Sequence, residues 1–406
     1  MPEAVIVSAA RSPIGRARKG SLAGMRPDDL AAQIVRAALD KVPALDPAVV
    51  DDLILGCGSP AGEQGFNIAR NIAVLLGYDT LPGTTVHRYC ASSLQSTRMA
   101  FHAIKAGEGE VFVSAGVEAV SRYEKGSADR WPDTQNLLFA AAQARTAETA
   151  KGGAGVWRDP REDGLIPDVY IAMGQTAENV ATLTGITREE QDRWGVRSQN
   201  RAEQAIAAGF FDQEITRVTL PDGTVVSTDD GPRAGVTYEG VSQLKPVFRP
   251  DGTVTAANCC PLNDGAAALV VMSDTKAREL GLTPLARIVS TGVSGLSPEV
   301  MGLGPVEACQ RALALAGQTI EDIDLVEINE AFAVQVLASA RELKIDEDKL
   351  NVSGGAIALG HPFGMTGARI TTTLINNLRT HDKQFGLETM CVGGGQGMAM
   401  VIERLG

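Results

Sequence analysis

An α/β fold made of two similar halves, with a segment inserted between them, is what this 406-residue chain predicts. Three observations point there. Strand-like β-branched runs alternate with amphipathic helical patterns near both ends of the chain. The two ends also match each other in order, at an offset of roughly 270 to 280 residues, which is the mark of an internal duplication. Composition agrees: 44% hydrophobic, 21% charged and only 4% aromatic, with 44 glycines, suits tight backbone packing in a globular interior. A chain this long holds two or three domains, so a disordered or disulfide-stapled class is excluded.

The elements follow in order. AVIVSAARSP (4–13) reads as a strand, DDLAAQIVRAALDK (28–41) as a helix, VDDLILGC (50–57) and EVFVSAGVEAV (110–120) as further apolar strands. Their counterparts are ARIVSTGVSG (286–295), PVEACQRALALAG (305–317), DIDLVEIN (322–329) and TMCVGGGQGMAM (389–400). Strands alternating with helices imply βαβ units, and hence mostly parallel sheets with helices on their faces. The middle differs. From about residue 123 to 250 the chain is rich in Ala, Gln, Thr and Gly and in DG turns, and carries one long helical pattern, TREEQDRWGVRSQNRAEQAIAAG. Thr187 and Glu190 have capping-box spacing, and Gly209 is its expected stop. The division predicted is 1–122 for the first half, 123–250 for an inserted loop domain, 251–276 for a return to the first half, and 277–406 for the second half.

A net charge of −12 argues against a nucleic-acid-wrapping protein, which neutralises phosphates with Lys and Arg. Six cysteines at uneven spacing, with no CxxC pair, give neither a disulfide framework nor a zinc site. A reducing cytoplasm is expected, with no membrane span, because no leader-like stretch or long apolar run appears and the chain ends ERLG rather than SKL.

Four motifs carry chemistry. In HRYCASSLQSTRMAFHAIKAG a strand-like lead-in meets Cys90 and a helical pattern begins at once, so the thiol faces unpaired N–H groups that favour thiolate. Most free cysteines are small buried hydrophobes, and that reading stands beside the nucleophilic one. His87 is near enough in sequence to assist, while His102 falls inside the helix as a packed or surface residue. In NVSGGAIALGHPFGMTGARITTT, His361 lies between glycine clusters ahead of a helix starting near Thr366, a crowded turn expected to expose the imidazole. Cys90 and His361 would occupy equivalent turns of the two copies, the nucleophile-plus-base pair that acyl transfer requires. LETMCVGGGQGMAM places Cys391 before glycines whose amides can face an oxyanion. In EINEAFAVQ, Asn329 opens a helix, either as a cap or as a site residue.

The blocks CASS, NEAFA, GGAIALGHPFGMTGAR and CVGGGQG, in this order and at these distances, resemble the thiolase family over essentially the whole chain. The resemblance implies an acyltransferase of the thiolase fold, with two βαβ-rich halves and a loop domain inserted in the first. It puts the acylated nucleophile on Cys90, its activating base on His361 and a second acid/base on Cys391. One oxyanion hole would use a water held by Asn329 together with the histidine, the other the amides of Cys90 and Gly393. The implied reaction is CoA-dependent cleavage of a 3-ketoacyl-CoA, as in fatty-acid β-oxidation; acetoacetyl-CoA formation by Claisen condensation is the alternative. CoA and acyl-CoA are the expected partners, with CoA as substrate and no metal or redox cofactor, in a homodimer or homotetramer.

Arg233 in GPRAGVTYEGVSQLKPVF matches the family's arginine for the adenine and phosphate end of CoA, and Cys260 stands where a serine beside pantetheine is usual. A thiol is the poorer hydrogen-bond partner. Ser93, His87 and Ala172 also depart from the usual pattern and are expected to line the approach to the site. A decarboxylative ketoacyl synthase would lack Cys391. A non-catalytic CoA- or lipid-binding relative would have no need of the intact Cys90, Asn329, His361 and Cys391 set, and nothing else in the chain supports a cysteine protease.

Overall fold

The computed structural model describes residues 2–125, 134–153 and 155–406. Its strands are β1 (Ala4–Arg11), β2 (Gly15–Arg16), β3 (Asp52–Cys57), β4 (Gly83–Val86), β5 (Val111–Ala119), β6 (Val218–Thr219), β7 (Val225–Val226), β8 (Asn263–Ser273), β9 (Ala286–Gly295), β10 (Leu325–Ile328), β11 (Phe385–Val392) and β12 (Gln396–Arg404). The principal sheet runs β10-β11-β12-β9-β1-β8-β5-β3-β4, with β2 on β8; β6 and β7 form a separate hairpin.

The duplication is visible in this order. On one side of the β9·β1 junction the strands run β1-β8-β5-β3, and on the other β9-β12-β11-β10. The pairing senses match as well: β3·β5 and β10·β11 are parallel, β5·β8 and β11·β12 antiparallel, β1·β8 and β9·β12 antiparallel. Two corrections follow. Antiparallel pairs outnumber parallel ones, against the expectation of mostly parallel sheets, because the last strand of each half returns alongside its predecessor instead of crossing over a helix. The counterpart of Val111–Ala119 is therefore Phe385–Val392 alone, and the run after the glycines, Gln396–Arg404, answers to β8. Between β11 and β12 the return is the tight turn through Gly393–Gly395. Between β5 and β8 it is the long middle of the chain, with helices Ala140–Thr149, Met173–Thr184, Arg188–Ala207 and Tyr238–Ser242.

The Arg188–Ala207 helix starts as its sequence predicts, with Thr187 and Glu190 forming a capping box, and ends just before Gly209 in the left-handed region (φ 71°). Three apolar clusters separate the layers. One packs helix Pro27–Asp40 against the first half-sheet, and one packs Gly304–Ala316 and Ala333–Glu342 against the second. The third holds Leu94, Ala100 and Ile104 together with Ile370, Leu374 and Leu378, between strands of both halves.

That shared layer positions the site. Its two helices, Ser92–Ala106 and Thr366–Thr380, meet at their first turns. Ala368 donates its amide to Ser93 Oγ at 2.9 Å, and a Cβ on Gly367 would lie 2.2 Å from the Leu94 nitrogen. Only glycine permits this approach, so whatever precedes each helix is carried to a common place.

Candidate active site

Cys90 lies in the single turn Tyr89–Ala91 that joins β4 to its helix. Tyr89 takes the left-handed region (φ 42°), an unusual conformation for a side chain of its size. Cys90 is half-buried, with its open side on a cavity of about 630 Å³. The expectation of a thiolate-biased cysteine is not met: burial pushes the thiol up to about 12, and the Gly393 N–H hydrogen-bonded to it only partly offsets this. Desolvation of the anion outweighs the two favourable amides, those of Gly393 and of Cys90 itself, and the Glu118 charge adds to the upward push.

His361 is buried rather than exposed, 1% accessible, because the glycines around it let β3, β5 and β8 close on the turn: a Cβ on Gly360 would strike Asn263, and one on Gly364 the Val117 and Gly56 carbonyls. Three of its atoms are tethered. Its backbone N–H donates to Asn263 Oδ1 at 2.9 Å, Nδ1 lies 2.6 Å from Thr366 Oγ1, and Nε2 lies 3.2 Å from Asn329 Nδ2. The Thr366 hydroxyl gives its own proton to the Pro362 carbonyl at 2.8 Å, so it must accept from Nδ1–H. Nε2 is thereby left with its lone pair, which the Asn329 amide meets. Burial, with the Arg369 charge adding to it, pulls the imidazole down to about 3. At neutral pH the ring is an uncharged base of fixed tautomer.

The remaining predicted residues fall around these two. Ile328 pairs with Thr389, and the Asn329 backbone N–H donates to the Thr389 carbonyl at 2.9 Å, which sets Asn329 beside the end of β11 where Cys391 stands. Asn329 Oδ1 is buried with no partner among the described residues. Cys391 is buried, and desolvation followed by the neighbouring Cys90 holds it well above the usual thiol range. Cys260 is also pushed well up, by burial and then by Cys259, Cys90 and Cys391, so it belongs to the thiol cluster. Gly393 closes the cavity floor; a Cβ there would come within 3.2 Å of the Tyr89 ring.

Arg233 lines a second cavity of about 550 Å³ together with Arg16, Arg18 and Lys19. Pro261, next to Cys260, lies on the same wall. Ala172 lines the Cys90 cavity as expected. Ser93 does not line an approach: it is fully buried in the helix seam, where its hydroxyl accepts from Ala368. His87 packs edge-on against Tyr89 with ring centres 4.5 Å apart, and His102 lies within its helix against Phe101.

Several positioning groups escaped the sequence reading. Glu118, fully buried, accepts from the Gly58 and Gly364 amides (2.7 and 2.8 Å) and from Gln64 and Tyr123 (2.8 Å each), so it ties the His361 turn to the cavity wall. Glu330 accepts from Trp194, Ser198, Asn351 and the Ile357 amide, which joins the inserted segment to the second half. An acidic residue closing an otherwise apolar strand was the available signal for Glu118.

Comparisons with known proteins come to the same place. The thiolase N-terminal domain model matches residues 4–275 and the thiolase C-terminal domain model residues 282–404. A 3-ketoacyl-CoA thiolase of Bacillus subtilis (strain 168) is 45% identical, covering 99% of this chain and 100% of that protein. Among solved structures, a Bacillus anthracis acetyl-CoA acetyltransferase superposes with a TM-score of 0.86 at 41% identity, covering 100% of this chain and 99% of that one. Human mitochondrial 3-ketoacyl-CoA thiolase gives a TM-score of 0.85 at 35% identity with the same coverage.

Proposed function

The chain belongs to the thiolase family, and from that premise we propose how it cleaves a 3-ketoacyl-CoA to acetyl-CoA and a shortened acyl-CoA through an acyl-cysteine. The observation that carries the reading is a cysteine thiol facing a cavity, with the Gly393 amide on its sulfur, and an imidazole of locked tautomer at the neighbouring turn.

The Cys90 proton passes to His361 Nε2, whose lone pair is released by the Asn329 side-chain N–H as it does so, while Sγ attacks the ketone carbon, so no resting thiolate is needed. The amides of Cys90 and Gly393 face one oxyanion; Asn329, whose Oδ1 is an open acceptor suited to holding a water, and His361 serve the other. Cleavage of the C2–C3 bond releases the enolate of acetyl-CoA, and Cys391, held protonated by its surroundings, supplies the proton. A CoA thiol then gives its proton to the Cys391 thiolate and attacks the acyl carbon, and the expelled Cys90 thiolate takes back the proton held on His361. General acid/base help is worth about 10²- to 10⁴-fold and one oxyanion donor roughly 2.7 to 4 kcal/mol, so both contributions are required.

The 3′- and pyrophosphate end of CoA suits the basic cavity of Arg16, Arg18, Lys19 and Arg233, a local reversal of the acidic whole; Cys260 lies between it and the reacting thiols. CoA acts as substrate, and the scheme calls for no metal or redox cofactor. We place the enzyme in fatty-acid β-oxidation in the cytoplasm, as a homodimer or homotetramer, on the division into residues 1–122, 123–250, 251–276 and 277–406. The edge strand β4 and the 94% exposed Phe66 offer a surface for a second copy. Ala172, a small side chain on the wall of the Cys90 cavity, favours the broader-chain, degradative reading over a short-chain acetyltransferase.

CoA-dependent thiolysis of acetoacetyl-CoA and of a medium-chain 3-ketoacyl-CoA, with wild type and Cys90→Ser, tests this. Cleavage of the longer substrate at least as fast, lost in the variant, supports the reading. Turnover of acetoacetyl-CoA alone makes the enzyme a short-chain acetyltransferase.

A further inference from the structure

Aromatic residues make up 4% of the chain, and five of them are tyrosines. Three of those five, Tyr89, Tyr123 and Tyr170, line the cavity above Cys90, joined by Phe363. None of the residues described around this cavity carries a charge. The rings are also held in place. Tyr123 donates to the buried Glu118 at 2.8 Å, the Tyr170 oxygen accepts from the Asn136 amide at 3.0 Å and its ring meets Phe139 edge-on at 5.4 Å. Phe363 packs edge-on against His361 at 5.1 Å, and Tyr89 is fixed by its left-handed backbone against His87. Ala172 and Met173 line the same cavity and add no further ring to it.

Such walls suit one kind of guest. A straight alkyl chain gains contact area against a ring but loses many rotamers, whereas a planar ring adds edge-to-face attraction and has few torsions to freeze. A carboxylate at the far end of the chain would lose its hydration with no cation among the described lining residues to receive it.

The geometry points to an acyl subsite selective for uncharged 3-ketoacyl-CoA substrates bearing an aryl ring on the acyl chain. This deepens the thiolase reading and rests on it, since the ring-lined slot is the place where that reading puts the acyl group. The advantage expected from one or two added ring–ring contacts is about threefold to tenfold.

The test compares kcat/KM for thiolysis of 5-phenyl-3-oxopentanoyl-CoA and 3-oxoundecanoyl-CoA, which have the same number of acyl carbons, in wild type and Tyr170→Leu. The expected result is a preference for the aryl substrate that shrinks severalfold in the variant. A preference for the straight chain, or an aryl preference that Tyr170→Leu leaves intact, overturns the inference. So does cleavage of 3-oxoadipyl-CoA as efficient as that of the aryl substrate. Calorimetric binding of the two neutral compounds to Cys90→Ala is read without turnover: a tighter aryl compound upholds the subsite even if no substrate is cleaved, in which case the catalytic reading alone fails, and equal binding sinks the subsite.

Discussion

The turn before helix Ser92–Ala106 and the turn before Thr366–Thr380 occupy matching positions in the two halves, yet they are built in opposite ways. At the first, a half-buried thiol opens on a cavity and is reached through a strained tyrosine backbone. At the second, an imidazole is buried and its backbone N–H and both ring nitrogens are hydrogen-bonded, to Asn263, Thr366 and Asn329. The difference fits the two roles proposed for these turns. A nucleophile must be reached by substrate, whereas a base must hold one tautomer and one orientation while the substrate changes.

Breaking the exposed side of this comparison has the largest effect. Cys90→Ala removes the bond-forming atom, and thiolysis falls by at least about 10³-fold in steady-state assays, with the fold unchanged by circular dichroism. His361→Ala removes the base and costs about 10²- to 10⁴-fold in kcat/KM. The tether is tested by Thr366→Val, which keeps the shape but offers no acceptor to Nδ1–H; a loss of roughly fivefold to 100-fold in kcat is expected, with KM little changed.

The pH dependence sharpens the contrast further. With the imidazole pulled down to about 3 and the thiol pushed up to about 12, neither titrates near neutrality. The profile of kcat/KM is therefore level across roughly pH 5 to 8, and an acid limb near the ordinary histidine value would contradict the neutral pair.

Much of this was legible in the sequence. Cys90, Asn329 and Cys391 each stand at a strand–helix or strand–turn boundary that local patterns mark, whereas His361 stands in a helix-to-helix turn, between Ala356–Leu359 and Thr366–Thr380, which its glycine clusters mark; the repeat predicted that the Cys90 and His361 turns would be equivalent. What was not legible depends on distant partners. Burial of His361 follows from glycine contacts with β3, β5 and β8, and the high thiol of Cys90 from burial as well, which no helix-terminus argument anticipates. Glu118 is separated from Gly364 by most of the chain, and Ser93 finds its use only against Ala368. Antiparallel return strands were hidden too, because β8 lies beyond a long insertion from the strand it pairs with.

The smallest effect is on stability, beneath the His361 side. Glu388 is buried with one oxygen on Thr371, and burial holds its carboxyl up to about 8, above its unfolded value. The native state then keeps a proton that the unfolded chain releases, so this contribution is full at acid pH and is lost as pH rises through about 8. Glu388→Gln should flatten that decline, seen as a smaller fall in Tm between pH 5 and pH 9 than in wild type; an equal fall would remove Glu388 from the account.

The central claim is that the reachable thiol of the cluster, and not its buried neighbours, carries the acyl group. Mixing the enzyme with acetoacetyl-CoA in the absence of free CoA, quenching in acid and mapping peptides by mass spectrometry reads this directly. One acetyl group on the peptide containing Cys90, absent in His361→Ala at the same quench time, is the predicted result. Acetylation of Cys391 or Cys260 with Cys90 unmodified would contradict it.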